Sequence, residues 1–376
     1  MSRSGEADIA HDASTFGGTS GSTPGSVVDP NGNAIPPGQL TAGEWNDLNQ
    51  WDFLKELLEG ESYGEMEAYW SFFPRNRYSV LVTDFYNKAI PDVVLRLLDN
   101  SGQLLWEART DNEGKAELWA NLYDGSPAGM LNISGNYNGM AFSLNSPKPY
   151  SLGINTVQLP LLGVNTSTNV DLAFVVDATG SMGDEIEYLK SELKDVIQQV
   201  WNANSNLNIR TGAVFYRDEG DDFLTRTSDF TSDIETTMSF INDHRAGGGG
   251  DFPEAVHTAM EKGLALDWNE EALTRILFLV LDAPPHYEEG IISDLQNYIQ
   301  AAAEQGIKVI PVTASGIDKN TEFLMRFFSM GTNGTYVFIT DHSGIGNDHL
   351  EPSIGEYEVE FLNELMIRLI KKYTLY

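Results

Sequence analysis

From Asp171 onward the chain alternates short apolar runs with amphipathic stretches. Asp171-Leu172-Ala173-Phe174-Val175-Val176 is nearly continuous in apolar residues, as a strand buried on both faces is. After it, Ile186, Leu189, Leu193, Val196, Ile197 and Val200 recur every three or four positions, which predicts a helix with one apolar face. Further strands are predicted at Gly212 to Arg217, Ile276 to Leu281, Val309 to Thr313 and Tyr336 to Ile339, with helices between them. A long last helix is expected from about Tyr357 to Tyr373. Repeated β-α-β units imply an α/β doubly wound, mainly parallel sheet over residues 168–376. Such sheets bind ligands beyond the carboxyl ends of their strands.

Upstream the pattern changes. Residues 77–165 carry about seven short alternating runs separated by turn residues such as Pro91-Asp92, Asn100-Ser101-Gly102 and Asp111-Asn112-Glu113-Gly114. Count and spacing predict an all-β sandwich domain. Over 41–76, Thr41 followed by Glu44 reads as a capping box. Trp45, Leu48, Trp51, Phe53, Leu54, Leu57 and Leu58 then stand close to helical spacing, so a helical segment is expected. Residues 1–40 are rich in Gly, Ser, Thr, Pro and Asn and read as a flexible tether.

Composition narrows the function classes. With 55 acidic and 23 basic residues the formal charge is −32 over 376 residues, so nucleic-acid phosphates and anionic membrane surfaces repel this chain. The absence of cysteine excludes disulfides, thiol catalysis and cysteine-ligated zinc. No run is long enough for a membrane span, and Met1-Ser2-Arg3-Ser4-Gly5-Glu6 does not open a signal peptide. Two locations stay open. One is the cell envelope or extracellular space, with a leader and a lipid anchor upstream of the given chain; the other is the cytoplasm.

The candidate chemistry lies where the first strand of the α/β region ends. In Asp177-Ala178-Thr179-Gly180-Ser181-Met182 a carboxylate and two hydroxyls stand at alternate positions. All are oxygen donors, which suits a hard cation: Mg²⁺ first, with Mn²⁺ or Ca²⁺ as alternatives. Capping of the following helix by Thr179 or Ser181 is the competing use. Two more segments add acids. Gly247-Gly248-Gly249-Gly250-Asp251-Phe252-Pro253-Glu254-Ala255 precedes a helix, and Leu281-Asp282 ends a core strand.

These three segments resemble the von Willebrand factor A domain with its metal-ion-dependent adhesion site. That resemblance implies that Thr179 and Ser181 contact the metal directly, that Asp177 and Asp282 act largely through water, and that one position stays open for a partner's carboxylate. Where the family places a Thr on its second loop, this chain has Asp251. A subset of bacterial relatives resembles this Gly-Gly-Gly-Asp-x-Pro-Glu-Ala run more closely. Asp251 reaches the metal, directly or through water, or caps the next helix with Glu254, or does both, and Pro253 fits that helix's first turn. A third carboxylate would weaken the pull on an acidic partner. The sandwich region, on Val82-Thr83-Asp84, Ile90-Pro91 and Thr110-Asp111-Asn112-Glu113-Gly114, resembles immunoglobulin-like modules related to carboxypeptidase regulatory domains.

The remaining features carry less. The glycine run lacks the Lys-Ser/Thr ending of a phosphate loop. His286, His342 and His349 could form a second metal site or supply a base, without any spacing signature. Arg217-Asp218-Glu219-Gly220-Asp221-Asp222 reads as a solvated turn, with a calcium site as the alternative. The expectation is therefore a non-enzymatic module that binds a protein partner through the cation. The alternatives are an intracellular assembly factor working with an ATPase, or a metal-dependent hydrolase.

Overall fold

The computed structural model describes residues 27–28, 32–164, 166–204 and 206–376. Much of the expected tether, residues 1–26 and 29–31, lies outside them. The described part of that stretch is packed. Ile35 is buried, and the backbone N–H groups of Gly38, Gln39 and Leu40 donate to the buried Glu192 carboxylate at 2.8, 2.7 and 3.1 Å.

Chain order begins with a strand, β1 (Thr41–Trp45), then helices α1 (Trp51–Leu58) and α2 (Glu61–Trp70). The expected helix over 41–76 therefore gives way to a strand at its start. The capping box does not form. Glu44 instead accepts from Thr335 Oγ1 at 2.9 Å and from Arg368 Nη1 at 2.8 Å. Gly43 lies where a Cβ would meet the Phe338 and Tyr357 rings at 2.5 and 2.9 Å. Pairing with strands far along the chain thus overrides the local pattern.

The all-β region follows: β2 (Arg77–Thr83), β3 (Val94–Asp99), β4 (Leu104–Arg109), β5 (Lys115–Trp119), β6 (Leu131–Tyr137), β7 (Met140–Asn145) and β8 (Asn155–Gln158). They form a three-stranded sheet, β5-β2-β8, and a four-stranded sheet, β4-β3-β6-β7.

The α/β region comprises β9 (Asn169–Asp177), α3 (Ile186–Ala203), β10 (Asn208–Tyr216), β11 (Thr225–Thr231), α4 (Ile234–Asn242), α5 (Val256–Leu264), β12 (Thr274–Leu281), α6 (Glu289–Gln305), β13 (Ile307–Thr313), α7 (Lys319–Gly331), β14 (Tyr336–Thr340), β15 (Glu360–Phe361) and α8 (Leu362–Thr374). The sheet order is β11-β10-β9-β12-β13-β14-β1-β15. The centre, β10 through β14, is parallel; β11 at one edge and β1 at the other run antiparallel to it, and β15 pairs antiparallel with β1. The sheet is therefore mixed, with the parallel core the sequence implies.

Strand β9 shows why the centre reads as an unbroken apolar run. Ala173 and Val175 join one core with residues of α5, α6, α7 and the all-β region. Leu172, Phe174 and Val176 face the other, with residues of α3, α4 and α8. Each of the leucine, valine and phenylalanine side chains among them contributes roughly 1.5–3 kcal/mol when fully buried.

A buried ion pair ties the segment after β1 to α7. Arg326 donates from Nε to Asp47 Oδ2 at 2.8 Å and from Nη2 to Asp47 Oδ1 at 2.6 Å. Both side chains are within 3% of complete burial. Removing Asp47 would strip the buried guanidinium of its bidentate partner and leave it the longer contact with Glu322, at 3.4 Å. Asp47→Ala is expected to destabilise the fold by about 3–5 kcal/mol, read as a lower midpoint in urea unfolding.

Candidate metal centre

Strand β9 delivers Asp177 to the carboxyl edge of the sheet, in register with Tyr216 at the end of β10. Beyond it the chain makes a tight loop. Asp177 Oδ1 accepts from the Thr179 N–H at 2.8 Å and from Thr179 Oγ1 at 2.7 Å, and Thr179 Oγ1 stands 3.1 Å from Ser181 Oγ. Neither hydroxyl caps a helix: α3 begins after Glu185, and no side chain caps it or the short 3₁₀ turn before it. The three alternating oxygens instead face one another.

Backbone hydrogen bonds stitch the glycine loop to this first loop. Gly247 N donates to Ala178 O at 3.0 Å, and Gly180 N donates to Gly248 O at 3.1 Å. Gly248 and Gly249 have φ of +77° and +69°, a region side chains disfavour. A Cβ on Gly248 would also collide with the Asp221 carboxylate. The glycine run thus lets two backbones meet. It leads to Glu254, whose N–H donates to Pro284 O at 2.9 Å beside a bridge between Glu254 and Pro285. That contact joins the second loop to the third, which carries Asp282.

Three distant turns therefore converge, and the second brings the buried Glu254 inward in addition to Asp251, which lines the same cleft. Asp251 is exposed. Helix α5 starts only at Val256, with Ala255 before it and no side-chain cap, so Asp251 does not cap it. Pro253 likewise precedes the helix instead of opening its first turn. Glu254 is 2% exposed, and its Oε1 lies 3.0 Å from the Cβ position of Gly249, itself 3.4 Å from Thr179 Cβ. Asp218, just beyond β10, is the other buried acid that sequence reasoning missed.

Burial pushes the Asp177 carboxyl up to about 6, against hydrogen bonds from Thr179 that pull it down. Burial, then repulsion from Asp177, pushes Asp282 up to about 8. Burial and the charges of Asp177, Asp218 and Asp282 push Glu254 up to about 9. Asp177 Oδ2, Glu254 Oε2 and Asp282 Oδ1 are buried without a hydrogen-bond partner. Crowded carboxylates with orphaned oxygens are what a cation would relieve. Among the described residues no group of three or more His, Asp or Glu side chains could hold an ion alone. The fit therefore depends on the Thr179 and Ser181 hydroxyls sharing the coordination with the acids. The site opens into a cleft of about 660 Å³ lined by Ser181, Asp251, Glu254, Asp282, Ser315 and Asp348, among others.

The histidines do not assemble. His286 Nε2 lies 2.8 Å from Asp218 Oδ1, whereas His349 contacts Glu185 at 2.8 Å and Asp341 at 2.7 Å. The acidic turn after β10 is not simply solvated. Asp218 is buried, and Asp221 Oδ2 accepts from Gly249 N at 2.8 Å, propping up the glycine loop.

Residues 171–344 match the family model of the von Willebrand factor A domain. Over that stretch the chain is similar to the von Willebrand factor A (vWA) domain. A putative ariadne-like RING finger protein of Acanthamoeba polyphaga mimivirus is 40% identical over 123 residues, 32% of this chain and 12% of that protein. An α-protein kinase, vwkA, of Dictyostelium discoideum is 28% identical over 215 residues, 57% of this chain and 34% of that protein. The chain thus spans 12% and 34% of these relatives' lengths. Among solved structures, BatB of Bacteroides thetaiotaomicron is 17% identical, covering 55% of this chain and 98% of that one with a TM-score of 0.37. The pilus adhesin SpaC of Lactobacillus rhamnosus GG is 12% identical, covering 65% and 32%, with a TM-score of 0.41. Among the described residues no helix is long and apolar enough to cross a membrane.

Proposed function

We propose that this chain is a protein-binding module that holds a divalent cation, Mg²⁺ first and Mn²⁺ or Ca²⁺ as alternatives, at an adhesion-type site. Asp177, Thr179, Ser181 and Asp282 hold it, Glu254 faces it from the glycine loop, and Asp251 stands at the rim. The observation that carries this reading is the set of three buried carboxylates with orphaned oxygens on three loops joined by backbone hydrogen bonds. A bound cation supplies positive charge at the cleft for an oxygen of the partner. A partner carboxylate is the completion the family resemblance implies, and the extra acid Glu254 makes it weaker here.

Binding fits better than catalysis. The acids that line the cleft, Glu254 and Asp282, face the position where a cation would take up their oxygens, and among the described residues no histidine, lysine or tyrosine lines the cleft beside them to relay a proton. The cell envelope or secreted space remains the proposed location, resting on the cysteine-free composition and the all-β region beside the vWA domain. One observation favours a second setting. The shared stretch is 34% of an α-protein kinase and 12% of a RING finger protein. In that reading this chain is a recognition part serving an enzyme carried elsewhere.

Calorimetric titration of Mg²⁺ and Mn²⁺ tests the metal. Wild type is expected to show one saturable site, and Ser181→Ala to lose it with an unchanged far-ultraviolet spectrum, because Ser181 is exposed. Equal affinity in the two proteins would refute the site.

A further inference from the structure

The mouth of the metal cleft has a charge pattern of its own. Asp251 and Asp348 both line it and both are exposed. Among the described residues neither has a hydrogen bond or ion pair. Phe252 lines the same cleft and is 47% exposed. A lone exposed phenylalanine is ordinary; one placed beside unpaired acids in a cleft is not. The wall bearing Asp348 is held in place, because Asp184 Oδ2 accepts from the Asn347 N–H at 2.7 Å and from its Nδ2 at 2.6 Å. Deeper in the cleft stand Glu254 and Asp282, 2% and 3% exposed, each with an orphaned oxygen. No lysine, arginine or histidine lines the cleft among the described residues.

Charge counting follows from these residues. Asp177, Glu254 and Asp282 bring three negative charges to the interior, against two positive charges on a divalent ion. Asp251 and Asp348 add two more at the mouth. The occupied cleft therefore stays anionic, and a partner carboxylate would enter against that field. A guanidinium would enter with it. Its planar fork matches the free carboxylates, and its face stacks on an aromatic ring.

Resting on the metal reading above, we infer that this cleft binds an arginine-bearing segment of a partner protein, with the guanidinium between Asp251 or Asp348 and the Phe252 ring. The metal then neutralises and shapes the floor of the cleft, while the rim selects the partner.

The test uses the full chain with saturating Mg²⁺ at physiological ionic strength and a display library of random twelve-residue peptides. Enriched peptides are expected to carry arginine beside an apolar residue. They should bind at least tenfold more weakly to Asp251→Asn/Asp348→Asn and to Phe252→Ala, all surface changes that spare the fold. Enrichment of acidic peptides whose binding disappears in Asp177→Ala would overturn the inference and leave the metal-dependent module standing. Peptides that bind wild type and rim variants equally, or no enrichment at all, would also overturn it. Failure of Mg²⁺ to bind wild type in the separate titration would instead strike the reading beneath it.

Discussion

Glu254→Gln is expected to raise thermal stability without metal and to lower metal affinity at the same time. Wild-type Glu254 is buried, carries an orphaned oxygen and faces Asp177, Asp218 and Asp282. Folding without a cation must either bury its charge or keep it protonated well above the usual carboxylate range, and both are costly. Glutamine keeps the shape and removes that cost. In EDTA at pH 8 the variant should therefore melt higher, and each 1 kcal/mol gained moves Tm by roughly 2–4 °C in a domain of this size. The same change removes one of three carboxylates facing the ion, so the Mg²⁺ dissociation constant should rise by about tenfold or more, equivalent to about 1.4 kcal/mol. Scanning fluorimetry and calorimetry read the two effects independently. A variant that melts lower in EDTA and binds Mg²⁺ as wild type does would make Glu254 a merely structural residue.

The parallel core was legible because its signal is local. All eight residues of β12 are buried, Ile276 to Leu281 form an unbroken apolar run, and β9 reads almost as plainly. The edge strand β1 was not legible, because Thr41 pairs with Thr340 and Phe361. Nothing within the segment announces partners that far away, and its tryptophans and leucines mimic helical spacing. The described part of the expected tether failed in the same way: three of its N–H groups are held by Glu192, about 150 positions along the chain.

The site divides along the same line. Asp177, Thr179, Ser181 and Asp282 follow directly from apolar strands, and strand ends are where such sheets place ligands. Glu254 was obscured because an acid three residues after Asp251 imitates a helix cap; only the contact with Pro284 reveals its inward direction. Asp218 was hidden by its company, since Glu219, Asp221 and Asp222 make the turn look solvated. Register would have exposed it. Tyr216 lies opposite Asp177, so two residues later the chain is still beside the loop from Asp177 to Ser181.

Stability should fall with rising pH in the metal-free protein and hold in the loaded one. Asp177, Asp282 and Glu254 are raised to about 6, about 8 and about 9 in the folded chain, above the ordinary carboxylate values they regain on unfolding. Between about pH 4 and 9 the folded state therefore holds protons that the unfolded state has released. The slope of unfolding free energy with pH is then negative. The stability these protonated groups retain is fully present below their unfolded values and disappears as pH climbs through their folded ones. A divalent cation competes for the same oxygens, so its affinity climbs with pH and its binding expels protons. Melting curves from pH 5 to 9 should thus decline in EDTA and flatten at saturating Mg²⁺, with the gap widest near pH 9. Calorimetry in buffers of different ionisation enthalpy should show proton release on Mg²⁺ binding near neutral pH. Parallel melting curves with and without Mg²⁺, together with no proton release, would mean that the three acids do not meet at a common ion.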